Sequence, residues 1–527
     1  MTEPRIITDA LGGSALSRAV QAGALDSGVL PAPPAGASAW RERARAASAA
    51  TGTGWLDALR EAFGPAGEGL ARLERVARAG GVVVTTGQQA GLFGGPVYTW
   101  SKAVGALALA DAIERETGVP AAPVFWAATD DADYAEANHT HVVVNGALHR
   151  LEMRAEPAAG TPMASTPLGD VGAALGRLRE ACGSMAYPPA YAAVAAAYGG
   201  AATVGDAYVH LLRALLDGLG IAVLDSSHAA VRTAGSGVLR AALTRGGDVD
   251  AALAARQAWL ESRGYEAQVA HVPGLSTVFV HEGGVKRRVP LREAVAVARD
   301  AAPDALSPNV LLRPVMERAI LPTVAYLAGP GELAYFAQVS AVAGAVGAAP
   351  PLAVPRWSCT IVEPAVDRAL ARLGIGIDAL RDADALEGRV ARGAIPDEVQ
   401  GALAALRSAV RDGLAALGAR DAAAEGGALL TPAVVQGTER QIGFRLDRLE
   451  RRLAAAAKRR GSDGLRDVRL ARAFVWPEGR RQERTLNFVP FLARHGEGLW
   501  ARMREGAAAH ATALVVGDAH GGAAGGR

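Results

Sequence analysis

Hydrophobic residues along the chain switch between short continuous runs and a three-to-four spacing, and this switching outlines an α/β core. Gly81 to Thr85 is a β-branched run with the length of one buried parallel strand. It breaks into Thr86-Gly87-Gln88-Gln89, followed by Gly91, Gly94, Gly95 and Pro96. From Val97 to Thr117 the spacing is helical, with Val104, Leu107 and Ile113 near one face. A second apolar run, Pro123 to Ala127, ends in Thr129-Asp130-Asp131-Ala132-Asp133. The unit reads strand, loop, helix, strand, and its favoured hand makes the strands parallel with the helix across one face.

The rest of the chain arranges itself around that unit. Residues 1–80 read as a helical N-terminal segment packing on the core, with Leu56, Leu59, Phe63, Leu70, Leu73 and Val76 at helical spacing. Residues 81–362 form the core, which carries inserted connecting segments at about 147–200 and 255–300. The first insert predicts helices near 169–183 and 188–199; an amphipathic helix over 204–218 then feeds the strand Ile221 to Asp225. The second alternates apolar and polar residues about Glu282-Gly283-Gly284, which predicts an antiparallel hairpin. Arg313-Pro314 opens a helix, Thr323 to Ala328 is a strand, and Gly329-Pro330-Gly331-Glu332 turns into another helix. Leu352 to Val354 is a further strand, ending in Pro355-Arg356-Trp357-Ser358.

Residues 363–475 change character. Val399, Leu403, Leu406, Val410, Leu414 and Leu417 step by three or four, as do Val435, Ile442, Leu446, Leu449 and Leu453. Charged residues flank both rows, the pattern of two antiparallel helices in a coiled-coil arm. Residues 476–527 return to the core through Gln482, Glu483, Arg484 and Asn487 and the apolar plug Phe488 to Phe491, with an Ala/Gly-rich end expected to fray from 506.

Composition narrows the function classes. At 527 residues the chain is too long for one core and should hold two or three domains. A formal charge of +2, with no basic face-forming block outside the arm, gives no reason to expect nucleic acid. No apolar run reaches membrane-spanning length, and the start of the chain lacks the features of a signal peptide. Cys182 and Cys359 belong to no metal-binding spacing, so a reducing cytoplasm is expected.

Ligands of such cores bind at the carboxyl ends of the strands. One strand end offers glycines and helix-start amides suited to phosphate. The other offers Asp130, Asp131 and Asp133, then Glu136, Asn138, His139 and His141. A nucleotide-dependent active site follows, against the alternative of a glycine turn beside a solvated acidic loop. Neither GxGxxG nor GxxxxGK[ST] occurs at this turn, so the spacing alone identifies no nucleotide. Arg356, Ser358 and Thr360 suit a phosphate or carboxylate, with a structural arginine on a solvated loop as an equal alternative. Lys286, Arg287 and Arg288 read as a charged hairpin edge that deters aggregation, or as a contact for an acidic substrate.

A specific resemblance runs through these blocks. Thr86-Gly87-Gln88-Gln89-Ala90-Gly91-Leu92-Phe93 with Gly95-Pro96-Val97-Tyr98, Asp130-Asp131-x-Asp133 with Glu136-x-Asn138-His139, Gly329-Pro330-Gly331-Glu332-x-Ala334-Tyr335-Phe336, Pro355-Arg356-x-Ser358 and Gln482-Glu483-Arg484 with Asn487 resemble the bacillithiol biosynthesis cysteine-adding enzymes. One position departs: the family commonly has Asp-His-Asp where this chain has Asp131-Ala132-Asp133, which leaves His139 as a candidate for the missing imidazole's role.

The resemblance implies a Rossmann-like parallel-sheet core of nucleotidylyltransferase type, with inserted segments and a coiled-coil arm that makes a homodimer. It implies a ligase that adds L-cysteine to the amine of glucosaminyl-malate, the last step of bacillithiol biosynthesis. An amide does not form from a carboxylate and an amine in water without activation, so ATP with Mg2+ is expected to activate cysteine as an acyl-adenylate or acyl-phosphate. Carried over residue by residue, Asp131, Asp133 and His139 would be catalytic. Gly87, Gln88, Gln89, Gly95, Tyr98, Gly329, Gly331 and Glu332 would hold the nucleotide, and Asn138, Arg313, Tyr335, Arg356 and Ser358 the substrates. The alternatives are another nucleotide-activating ligase or nucleotidylyltransferase on the same core, and a non-catalytic dimeric nucleotide-binding protein.

Overall fold

The computed structural model describes residues 3–26, 28–155, 157–425, 427–460 and 463–517. They divide into two units. One comprises the chain up to Val144, Leu148–Ile361 and the chain from Gln482 onward; the other comprises Asn145–Ala147 and Val362–Arg481.

In the first unit, three core strands come first: β1 (Val82–Gln89), β2 (Ala121–Ala128) and β3 (Ala222–Asp225). An insert of β4 (Leu275–Glu282), β5 (Val285–Pro290) and β6 (Leu306–Pro308) follows, then β7 (Thr323–Ala328) and β8 (Ala353–Pro355). β8, β7, β1, β2 and β3 lie side by side in that order as an all-parallel sheet. The insert is a separate antiparallel sheet in the order β5, β4, β6. Four helices bear on the site: α1 (Val97–Thr117), α2 (Tyr134–Ala137), α3 (Arg313–Ile320) and α4 (Pro330–Val346). The chain leaves β1 toward β2 on one side and reaches β7 on the other, so the strand order reverses at β1, where ligands of open parallel sheets bind.

The continuous apolar runs form strands because both faces of the sheet are covered. Val82 to Val84 and Val124 to Trp126 are buried. The N-terminal helices Trp55–Phe63 and Glu68–Arg78 bury Leu56, Leu59, Phe63, Leu70, Leu73 and Val76 in the same apolar cluster as Val83 and Val124. Gly105 permits the close approach of α1 to the sheet, since a Cβ there would stand 2.7 Å from Leu327 Cδ2. No helix among the described residues is long and apolar enough to cross a membrane.

Three expectations shift. β1 does not stop at Thr85 but stays paired with β2 as far as Gln89 opposite Ala128. Gly87 is therefore a strand glycine, packed so tightly that a Cβ would meet Trp126 O at 2.7 Å. The turn comes later, where Gly94 (φ 84°) and Gly95 (φ 72°) take backbone angles that L side chains resist. The chain end also differs: residues 506–516, expected to fray, belong to the helix Glu497–Val516, which buries Met503, Ala507, Ala511 and Val515. Residues 518–527 lie outside the described residues.

The second unit is helical. α5 (Asp397–Ala422) and α6 (Pro432–Arg460) pair antiparallel, with Arg407 held by Asp447 and Glu450 at 2.8 Å each and Val435 beside Gly418. The expected seam is half open. α5 buries no residue, and Val399, Leu406, Leu417 and Leu449 are 38–51% exposed. A seam residue held between only two helices is covered from one side, whereas a closed core surrounds it. Leu446, by contrast, is buried.

Candidate active site

The carboxyl ends of β1, β2 and β7 open into one cavity of about 750 Å³ within the first unit. It is lined by Gly87, Gln88 and Gln89 from β1, Trp126, Asp130 and Asp131 at the end of β2, and Tyr326, Gly329 and Gly331 at the end of β7. Tyr98, Lys102, Glu136, Arg313, Glu332, Tyr335, Arg356 and Arg484 complete its walls, and Phe279, Lys286 and Arg288 reach it from the antiparallel insert. The glycine-bearing and the acidic strand ends therefore share a single pocket.

Its floor is a chain of compensated charges. Lys102, buried on α1, gives its ammonium to Glu332 at 2.6 Å, Gly87 O at 2.8 Å and Gln88 Oε1 at 3.1 Å. Glu332 also accepts from Tyr326 Oη and from the Gly329 amide, each at 2.6 Å. Burial pushes the Glu332 carboxyl up, but the ammonium of Lys102 and these donors outweigh it, and its pKa falls below the usual 4.5. Arg313 pairs with Glu317 at 2.7 Å and lies over the rings of Tyr326 and Trp126 at 5.0 and 6.0 Å. Thr85 donates its hydroxyl to the same Glu317. Arg356 forms two parallel bonds to Glu483, at 2.7 and 2.8 Å, with both side chains almost wholly enclosed.

The acidic wall sorts its members. Asp130 is engaged: Lys286 donates to its carbonyl at 2.7 Å and its carboxylate at 3.3 Å, and Ser226 donates at 2.9 Å. Burial alone would raise its pKa, but Lys286 and Ser226 bring it below 3.8. Asp131 faces the cavity and accepts from Gln89 Nε2 at 2.8 Å and the Asp133 amide at 2.9 Å. Glu136 also lines the cavity, and no side-chain partner holds its carboxylate among the described residues. Desolvation at the wall and the nearby carboxylates of Asp133 and Asp131 raise its pKa above 4.5.

Of the residues singled out in the sequence, Gly87, Gln88, Gln89, Tyr98, Asp131, Arg313, Gly329, Gly331, Glu332, Tyr335 and Arg356 line the pocket. Gly95, Asp133, Asn138, His139 and Ser358 do not. Gly95 shapes the turn, where Asn487 Nδ2 clamps the carbonyls of Leu92, Phe93 and Gly95 at 3.1–3.3 Å. Asp133 caps α2 by accepting from the Glu136 amide at 3.1 Å. The His139 ring is turned to Ala135 O and Asn138 Oδ1, at 3.1 and 3.0 Å, and burial lowers its pKa. Ser358 is buried, and its hydroxyl has no hydrogen-bond partner among the described residues.

Lys102, Trp126, Tyr326 and Arg484 are pocket residues to which sequence reasoning gave no role, and Glu136, Lys286 and Arg288, which it named with the alternatives left open, line the pocket as well. Two signals were available. Lys102 stands four residues after Tyr98, on the same helix face. Along β5, Lys286 and Arg288 share one face while Arg287 points away to Glu282 and Glu293. The basic run is thus half pocket and half solvated edge.

One corner of the pocket suits a phosphate. A Cβ at Gly331, in the first turn of α4, would meet nothing within 4 Å, leaving open space at amides that lack intrahelical partners. Arg356 Nε is buried without a hydrogen-bond partner and lies 3.5 Å from the Cβ position of Gly329. No group of three His, Cys, Asp or Glu side chains among the described residues could hold a metal ion.

Comparison with known proteins gives a family for this arrangement. The signature "Bacillithiol biosynthesis BshC, N-terminal Rossmann-like domain" matches residues 40–357, and "Bacillithiol biosynthesis BshC, C-terminal coiled-coil domain" matches residues 359–514. A protein of Solibacter usitatus named "Putative cysteine ligase BshC" is 33% identical over 82% of this chain and 83% of its own length. Proteins of the same name from Koribacter versatilis and Geobacillus thermodenitrificans are 32% and 29% identical, each over 84% of this chain and 84% and 85% of their own lengths.

Proposed function

The chain belongs to the bacillithiol biosynthesis BshC family, and from that premise we propose that its pocket joins the carboxylate of L-cysteine to the amine of glucosaminyl-malate. One observation carries the proposal. The cavity holds two carboxylates that no cation pairs among the described residues, Asp131 and Glu136, together with a phosphate-suited corner at Gly329, Gly331 and Arg356. Amide formation needs both, an activated acid and an amine relieved of its proton.

ATP, when bound, supplies the activation of the cysteine carboxylate. Gly331 and Arg356 would hold its phosphates, with Lys102 fixing the end of β1 from beneath through Gly87 O and Gln88. Glu136 takes a proton from the acceptor's ammonium. Asp131, oriented by Gln89, holds the resulting amine toward the acyl carbon. The enclosed aromatic floor of Trp126, Tyr326 and Tyr335 keeps water from the activated acid.

The exposed seam residues Val399, Leu406, Leu417 and Leu449 support a homodimer formed through the arm. Cys182 and Cys359 are free buried thiols, in keeping with a reducing cytoplasm.

The direct test is to incubate the protein with L-cysteine, glucosaminyl-malate, ATP and Mg2+ and to weigh the product. The proposal expects the mass of the two substrates less one water; no such product across several nucleotides and metal ions would overturn it. A second expectation concerns Ala132, which lines the pocket where the family commonly carries histidine. Since Glu136 already accepts the proton, Ala132→His should change kcat little, well below the roughly 100-fold that a newly supplied base confers. A gain of that size would show that this chain lacks its proton acceptor.

A further inference from the structure

We infer that Arg484 selects an anionic acceptor, gripping a carboxylate of the substituent on the amino sugar while Glu136 receives the sugar's ammonium. The inference rests on the proposed ligation and adds to it the residue that reads the malate.

Six cations line the pocket, and four are already neutralised by a carboxylate: Lys102 by Glu332, Lys286 by Asp130, Arg313 by Glu317 and Arg356 by Glu483. A fifth, Arg288, is fixed by its Nε to Ser276 O at 2.7 Å. Arg484 is different. It is exposed, pairs with no carboxylate among the described residues, and rests over the Tyr98 ring at 5.6 Å. Its charge is therefore available to a ligand.

Its setting is built. Gln482 makes two 2.8 Å bonds to the backbone of Ile361, and Glu483 makes the paired bonds to Arg356. Thr485 and Leu486 on the other side are buried. A solubilising surface arginine needs no such anchorage on both flanks; a recognition arginine does, because fixing the backbone removes ordering entropy from binding. The Tyr98 ring below it is fixed by a 2.9 Å bond from Gln88 Nε2 to its hydroxyl.

The neighbouring charge completes the match. Glu136 lines the same pocket and feels Arg484 as an opposite charge. One free cation beside one free anion suits a ligand whose ammonium and carboxylate are few bonds apart. An amino sugar carrying a malate at the adjacent carbon has that layout; L-cysteine, a smaller zwitterion, has no further carboxylate for Arg484 once its own is activated.

The experiment compares glucosaminyl-malate with methyl glucosaminide, whose aglycone is uncharged, in the full-length protein and in Arg484→Gln and Arg484→Lys. Losing a charge-assisted bond should reduce the kcat/KM preference for the malate-bearing acceptor roughly ten- to a hundred-fold in Arg484→Gln, mainly through KM. Arg484→Lys should retain part of it. An unchanged preference ratio in Arg484→Gln overturns the inference. Calorimetric binding of glucosaminyl-malate without ATP separates the two proposals. Binding that weakens in Arg484→Gln while no variant ligates would sustain the subsite and overturn the ligation. Equal binding in the parent protein and Arg484→Gln would overturn the subsite and leave the ligation standing.

Discussion

Glu483→Ala lowers the stability of the parallel-sheet unit by about 3–5 kcal/mol, the penalty for leaving a buried charge without its partner. The Arg356 guanidinium and the Glu483 carboxylate face each other through two bonds, with side chains 1% and 2% exposed. Neither can turn to water when the other is removed. Part of the guanidinium is satisfied elsewhere, since one Nη donates to Trp357 O at 2.9 Å, but that carbonyl carries no full charge to oppose it. The measurement is guanidinium chloride unfolding followed by tryptophan fluorescence, since Trp126 and Trp357 are buried in this unit. Arg356→Met/Glu483→Leu is the control. Removing both charges together should recover most of the loss, because desolvation offsets much of what a buried pair contributes. It should not recover activity if Arg356 also meets a phosphate. A loss below about 1 kcal/mol in Glu483→Ala, the scale of a solvated surface pair, would mean that water reaches this pair.

The second large effect is on chemistry. Glu136→Gln should reduce kcat by about 10²–10⁴, the range lost with a positioned general base. The pH dependence identifies the group. Only the deprotonated carboxylate accepts a proton, so activity must fall as pH falls through the Glu136 pKa. That pKa is raised above 4.5 by desolvation and by the negative charge of Asp133 and Asp131, with Arg484 and Lys102 opposing. The acid limb of kcat/KM should therefore lie above the ordinary carboxylate range in the parent protein and be absent in Glu136→Gln. Glu136→Asp should restore part of the rate and the limb. An intact limb in Glu136→Gln would move the proton acceptor to Asp131.

Much of the fold was legible because parallel cores write themselves in blocks. Val82 to Val84, Pro123 to Ala127 and Thr323 to Ala328 have both faces covered, so their apolar runs are continuous and hard to mistake. Helix α1 carried its limits in Pro96 and Gly118, one preset for entry and the other at φ 72° for exit. The end of β1 was less legible. Thr86-Gly87-Gln88-Gln89 has the composition of a loop, and it stays extended because β2 offers a partner for every residue to Gln89. Composition reports what a segment prefers alone; pairing partners decide what it does.

The pocket divides along the same line. Its two informative strand ends stood out in the sequence because glycines, carboxylates and the turn after β7 cluster there. His139 carried equal chemical promise and faces elsewhere, since the ring direction depends on the backbone it bonds, Ala135 O, and not on its spacing from Asp131. Lys286, Arg356 and Arg484 come from three remote segments, and only packing shows that two of these charges are already matched while the third is open. The sequence by itself determined most of the elements, their order and the family, because these rest on local periodicity and on motifs read along the chain. The tertiary structure alone decided which side chains share the cavity and which charges remain uncompensated. Burial and pairing are properties of neighbours in space, and a residue's neighbours here stand hundreds of positions away.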